Sequence, residues 1–295
     1  MVQKLPQPLI DLYNVYIHGG MSRREFMEGI EKYAIAGLTV AAIADALMPN
    51  YALGQVVPPN DSRLKIETVT VPSPQGNGTI KGQLARPASA AATAKLPGIL
   101  VVHENRGLNP HIADIGRRLA LEGFMTLSPD GLTSVGGYPG DDDAGGKLFG
   151  TVNGPKMQED FFAAATWLKA RPDCTGKIGV TGFCFGGGVS NNLAVRMGAD
   201  LAAAVPFYGQ AAPTADVPKI KAAVLVHHGS TDTRLVQAWP AYEAALKAAG
   251  VTYEGYIYEG AGHGFNNDAT PQRYNEAASK LAMQRTIAWF KKHLA

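Results

Sequence analysis

Four short runs in this chain, LPGILVVHE, KIGVTGF, AAAVPFYG and AAVLVHHG, are apolar almost without a break, and each gives way to glycine or polar residues. A strand with one wet face alternates apolar and polar residues. A strand that does not alternate must be covered on both sides, which is the condition of a parallel sheet between two layers of helices. Segments with helical spacing lie between the runs, namely HIADIGRRLALEGF, MQEDFFAAATWLKARP and WPAYEAALKAAG. In the second of these, Phe161, Ala165 and Leu168 fall on one face, and Pro172 stops the helix. KIETVTV and TIKGQLA, joined by the turn-rich PSPQGNG, read as an antiparallel hairpin. FMTLSPDG and VTYEGYIYE add strands, a helix runs to Met197, and a last helix runs to Leu294. The expected fold is therefore α/β, with a mostly parallel central sheet and helices on both faces. Residues 131–155, rich in glycine and aspartate, have no periodicity and read as a long excursion or lid. No repeat or linker divides residues 61–295, which form one catalytic-size domain behind an extension of residues 1–60.

The extension has two readings. In SRREFM, Arg23 and Arg24 precede the apolar IAGLTVAAIADALM, and NYALGQ then offers the small residues Ala52 and Gly54 ahead of a cleavage point. Charged, apolar and small-residue regions in that order describe an export signal, and the paired arginines resemble the twin-arginine type, which would deliver a folded protein to the periplasm. Alternatively, LIDLYNVYI and the apolar run are helices of a retained segment and the protein is cytoplasmic. Glu28, Glu31, Lys32 and Asp45 interrupt the pattern, and the apolar stretch is too short for a stable membrane span. Such a segment could also tie two subunits into a homodimer.

Charge and cysteine content exclude several functions. With 27 basic against 25 acidic residues among 295, the formal charge of +2 gives no field suited to nucleic acid. The two cysteines, Cys174 and Cys184, cannot build a disulfide framework, and no CxxC or Cys/His cluster has zinc-ligand spacing. No metal or cofactor is expected.

GFCFGGG, after the run KIGVT, has the form of a nucleophile elbow with a thiol at its centre. A strand that turns sharply into a helix presents its central residue, and bulky neighbours would prevent the turn. Equally, Cys184 could be a small core residue between glycines that let strand and helix pack closely. The partners decide between these, and in such a sheet they gather beyond the carboxyl ends of the strands. There lie Cys184, Asp232 after HGST, His263 within GAGHGF, and Glu104 at the end of LPGILVVHE. Among seven histidines, His263 alone sits between glycines in a loop able to reach the elbow; His18 and His293 lie near the ends, His111 starts a helix, and His103, His227 and His228 sit at strand ends. Asp232 is favoured over Glu259, Asp216 and Asp268 by its place after a strand. Asp130 and the run Asp141, Asp142, Asp143 read as turn and solvated-loop residues. Glu104 would either oppose ionisation of a nearby thiol or take its proton. The backbone amides of Asn105 and Phe185 could bind a developing oxyanion.

These residues resemble the dienelactone hydrolase family, an α/β-hydrolase group. The resemblance covers most of residues 65–292 and rests on HENRGLNPHIADIGRRLA with LSPD, and on GFCFGG, FYG, HGSTD and GAGHGF. It implies Cys184, His263 and Asp232 as the catalytic triad, and Glu104 as the glutamate that helps form the thiolate. It also implies hydrolysis of small lactones or esters through an acyl-thioester, without metal or cofactor. Tyr208 of the FYG motif is expected at the substrate site. Where family members that act on dienelactone carry an arginine four residues after the histidine, this chain has Asn267, and Arg106 or Arg234 is the candidate to replace that cation. A broad carboxylesterase is the nearest rival within the enzyme class. A binding or redox-sensing protein on the same scaffold is the rival outside it.

Overall fold

The computed structural model describes residues 5–34, 39–91 and 93–295. The first four residues of the apolar run IAGLTVAAIADALM, 35–38, lie outside the described residues. The extension folds as α1 (Gln7–Ile17), α2 (Arg23–Glu31), α3 (Val40–Leu47) and the short α4 (Tyr51–Gly54). The remainder runs β1 (Leu64–Ser73), β2 (Gly78–Pro87), β3 (Leu96–Val102), α5 (Pro110–Leu121), β4 (Met125–Asp130), α6 (Asp142–Phe149), α7 (Gly154–Ala170) and β5 (Cys174–Phe183). It continues with α8 (Phe185–Met197), β6 (Ala203–Phe207), β7 (Ala223–Gly229), α9 (Thr233–Ala248), β8 (Tyr253–Tyr258) and α10 (Glu276–His293).

The eight strands form one sheet in the order β1-β2-β4-β3-β5-β6-β7-β8. The hairpin β1–β2 is antiparallel, as the turn-rich PSPQGNG requires, and β2 meets β4 antiparallel. From β4 to β8 every pairing is parallel. The unbroken apolar runs are explained by the two cores. Leu100, Val102, Val180, Val224 and Val226 enter one buried cluster with Phe161, Ala165 and Leu168 of α7. From the same strands and β6, Ile99, Val101, Phe183, Val205 and Leu225 enter the other, with Ile115 of α5 and Phe290 of α10. Successive side chains of a strand point to opposite faces, so a sheet packed on both sides needs an apolar residue at every position.

The extension has its own small core of Leu9, Tyr13, Ile17, Phe26, Ile30, Ile43 and Leu47, with the rings of Tyr16 and Phe26 stacked 4.6 Å apart. Ser22 starts α2 with a capping box: its hydroxyl accepts from the Glu25 amide, and Glu25 accepts from the Ser22 amide. Among the described residues no helix is long and apolar enough to cross a membrane.

Residues 131–155 are more ordered than their composition suggests, with a 3-10 turn at Thr133–Val135 and the helix α6, capped by the side chain of Asp141. The aspartate run is not a solvated loop. Asp142 accepts hydrogen bonds from the hydroxyls of Tyr51 and Tyr138, and Asp143 accepts from Tyr16 and pairs with Arg23 at 2.8 Å. Spaced capping and pairing, invisible to periodicity, thus use these acids to hold the extension against the sheet domain.

Candidate active site

Cys184 lies between the end of β5 and the start of α8 with φ 54° and ψ −110°, a conformation that side chains with a Cβ rarely adopt. The turn is feasible because Gly182 and Gly186, two positions to either side, lack Cβ atoms. A Cβ on Gly182 would stand 2.1 Å from the Gly186 carbonyl oxygen, and one on Gly186 would stand 2.3 Å from that of Val102. The Cys184 amide donates to the Phe207 carbonyl at 3.1 Å, and its own carbonyl accepts from Gly188 at 3.2 Å, so both ends of the bend are fixed. Its sulfur is half-buried rather than lost in the core, whereas Cys174 is buried.

His263 and Asp232 arrive from the loops after β8 and β7. His263 Nδ1 lies 2.5 Å from Asp232 Oδ2, and both side chains are about nine-tenths covered, at 10% and 8% exposure. Because the carboxylate accepts, the Nδ1 proton is fixed there and Nε2 faces the sulfur. The ligand atoms of His263, Cys184 and His18 lie within 4.8 Å of one another. Burial pushes the Cys184 thiol up, but the charge of His263 and the contact with His18 outweigh it and bring the thiol down to about 6. Burial likewise pushes His263 down, but the Cys184 sulfur and the Asp232 bond outweigh it and raise the imidazole to about 10. Burial opposes ionisation of Asp232 as well, and the His263 bond and charge hold its carboxyl below the usual range. The two shifts run in the directions that favour a thiolate–imidazolium pair, with the Asp232 carboxylate accepting from the ring.

The other residues expected from sequence fall into two places. Glu104, Asn105 and Arg106 follow β3 and line a closed cavity of about 10 Å³ that also touches Cys184 and His263. Glu104 is buried, and its Oε2 accepts from the Asn267 amide group at 3.5 Å. Asn267 itself is buried, and its side-chain oxygen accepts from the Ala269 amide, so it braces the glutamate. Tyr208, directly after β6, has φ 37° and packs its ring 5.0 Å from that of His263. The Phe185 ring turns away to Phe149 and Phe161, leaving only its backbone near the elbow. Arg234 is not in the closed cavity. It lines an open groove of about 970 Å³ with Asp232, His263 and the outer face of α1.

The rejected candidates have structural partners. His111 and Arg118 both engage Asp268, at 3.0 Å and 2.6 Å. Asp216 pairs with Lys219 at 2.6 Å. His227 is held by Thr286 and Tyr258. His103 accepts from the Gly131 amide.

One residue was missed. His18, the C-cap of α1, places Nε2 3.4 Å from the Cys184 sulfur and sets its ring edge-on to His263 at 4.8 Å. Its segment is held over the site by several bonds: the Ile17 carbonyl accepts from Asn105 Nδ2 at 2.8 Å and from the Arg106 guanidinium at 2.7 Å, and the Leu5 amide donates to Gln272. No local spacing signals this, since 166 positions separate His18 from Cys184.

The chain is similar to known proteins over both the extension and the sheet domain. A profile of the YqhI-like family matches residues 2–32. A Salmonella typhimurium protein provisionally named carboxymethylenebutenolidase is 34% identical over 245 residues, covering 78% of this chain and 88% of its own. YghX of Escherichia coli, provisionally named a hydrolase fragment, is 50% identical over 111 residues, 38% of this chain and 93% of that protein. A crystal structure provisionally assigned as a dienelactone hydrolase, from Klebsiella pneumoniae, superposes with TM-score 0.65 at 28% identity, covering 77% of this chain and 99% of that one. With the dienelactone hydrolase profile matching residues 80–294, the chain belongs to the dienelactone hydrolase family, hydrolases of the α/β-hydrolase fold.

Proposed function

We propose that the chain hydrolyses small carboxylic esters or lactones with Cys184 as nucleophile and an acyl-thioester as intermediate. The observation that carries this is the positive-φ sulfur facing an imidazole whose far nitrogen is 2.5 Å from a buried carboxylate. In the first half-reaction the thiolate adds to the carbonyl carbon. The amides of Phe185 and Asn105 are suited to receive the negative oxygen. Collapse breaks the ester C–O bond, and the His263 imidazolium gives its Nε2 proton to the leaving alkoxide. Water then attacks the thioester while His263 takes its proton. The second collapse expels the thiolate, releases the acid and restores the ion pair. Asp232 keeps His263 in the tautomer that both steps need. Glu104, buried and braced by Asn267, lines the same cavity as Cys184 and His263, the position expected of the glutamate that assists the thiol.

The pH dependence of kcat/KM tests this assignment. The value is expected to rise through about pH 6 as the thiol ionises and to fall through about pH 10 as the imidazolium loses the proton it must donate. Below the first value the nucleophile is protonated, and above the second the leaving group has no acid. A profile rising steadily to high pH, as for an ordinary thiol near about 8.5, would contradict the pair.

Substrate choice turns on Arg106, the candidate cation that shares the closed cavity with Cys184. Arg106 supports recognition of a carboxylate-bearing lactone, whereas Arg234 lies in the outer groove. On a panel of esters and lactones with and without a free carboxylate, Arg106→Ala is expected to raise KM roughly tenfold for the carboxylated members only, the loss of one charge-assisted contact. An equal effect on all members would favour the broad carboxylesterase.

The compartment belongs to the same proposal. SRREFM supports twin-arginine export with cleavage near Gly54. The packing of Arg23 on Asp143 and of α1 over the sulfur supports retention of the segment in a cytoplasmic enzyme. The N-terminal mass of the protein isolated from each compartment distinguishes the two.

A further inference from the structure

We propose that His18, Cys184 and His263 together form a binding site for one soft divalent cation of the zinc class, which clamps α1 over the catalytic thiol. Coordination requires one sulfur and two imidazole nitrogens close together. Their ligand atoms lie within 4.8 Å of one another, and Sγ is 3.4 Å from His18 Nε2. Tetrahedral zinc, with bonds of about 2.3 Å to sulfur and about 2.0 Å to nitrogen, sets such ligands roughly 3.5 Å apart. Only small side-chain movements separate the present arrangement from that one.

The second observation is the state of the two rings. His18 Nδ1 is 2.6 Å from the Asn14 carbonyl, and His263 Nδ1 is 2.5 Å from Asp232. Both partners accept, so both Nδ1 atoms carry the hydrogen bond and both Nε2 atoms are turned to the sulfur. This is the outer-shell pattern that orients histidines on zinc. His263 Nε2 is moreover buried without a hydrogen-bond partner, on a side chain only 10% exposed.

Space and charge fit a single ion. The closed cavity against Cys184 measures about 10 Å³, which is room for about one water or ion. Its wall holds two acids, Glu104 and Asp142, against two bases, Arg106 and Arg273, which leaves the sulfur to compensate the incoming charge. On binding, the His263 imidazolium releases its Nε2 proton to solvent, the Cys184 thiolate forms one metal–sulfur bond, each Nε2 donates its lone pair, and water completes the fourth position. Nothing is oxidised and no protein bond breaks.

Because His18 belongs to the extension and the other two ligands to the sheet domain, the cation would link them and hold the nucleophile out of reaction. That consequence rests on the hydrolase reading given above; the coordination does not.

The test is titration of the full-length chain with cobalt(II), followed by visible and ultraviolet absorption. One equivalent is expected to give the strong bands of tetrahedral cobalt with a thiolate-to-metal charge-transfer band. His18→Ala and His18→Gln, checked for native circular dichroism, are expected to bind at least about tenfold more weakly. Cys184→Ser should lose the charge-transfer band. Absence of the tetrahedral spectrum in the wild type overturns the site, as does equal affinity in both His18 variants. Zinc is expected to inhibit ester hydrolysis over the range in which it displaces cobalt. If hydrolysis persists in Cys184→Ala while the cobalt spectrum is normal in the wild type, the hydrolytic assignment fails and the cation site stands. If hydrolysis depends on Cys184 but no spectrum forms, the reverse holds.

Discussion

Cys184→Ala is expected to reduce kcat/KM on a p-nitrophenyl ester by at least about 10³-fold, with the thermal midpoint nearly unchanged. The size follows from the chemistry: without sulfur no acyl-thioester forms, and only binding and the oxyanion donors remain to assist water. The stability follows from the geometry. Alanine keeps the Cβ and inherits the φ of 54°, so the strain of the elbow is the same in both proteins, and a half-buried sulfur leaves little cavity when removed. Near wild-type turnover in this variant would show that the thiol is not the nucleophile. Incubating the wild type with a slow ester and weighing the intact protein gives the complementary result, an acyl adduct that is missing from the variant.

His263→Ala should have an effect of similar size by a different route. It removes the proton carrier and also the main charge that brings the Cys184 thiol down to about 6. Without that imidazolium, burial dominates, and the thiol should ionise no earlier than an ordinary cysteine at about 8.5. The pH dependence of alkylation by iodoacetamide reads this directly. Its midpoint is expected to move upward by several pH units, while kcat/KM at pH 7 falls by about 10³-fold or more. The sign is unambiguous: the native thiolate exists above about 6, and the variant's thiol remains protonated across that window. An unmoved alkylation midpoint would mean that His18 alone holds the thiolate. The two variants therefore separate the nucleophile from the group that ionises it.

Several features were legible in the sequence because they depend on neighbouring residues. Unbroken apolar runs such as KIGVTGF specify strands covered on both faces, and β5 and its parallel neighbours are those strands. Gly182 and Gly186 could be read as elbow glycines because any Cβ there strikes backbone, a constraint that leaves only glycine. The order of Cys184, Asp232 and His263 after the strands β5, β7 and β8 was enough to expect them together, since parallel strands deliver their following loops to one edge. The aspartates at 141–143 were misread for the opposite reason. A helix cap and a tyrosine partner 91 positions away leave no period in the sequence.

The sequence by itself determined the sheet, the elbow and the chain order of Cys184, Asp232 and His263, because each is encoded in residues whose spacing is set by strand, turn or topology. Only the tertiary structure decided that Asn267 braces Glu104, that Arg106 and not Arg234 shares the closed cavity with the sulfur, and that His18 reaches Cys184. The first contact joins two loops of the sheet domain, and the last depends on how the helices of the extension dock on it. Docking is governed by surface complementarity between distant segments, which periodicity and motif spacing do not record.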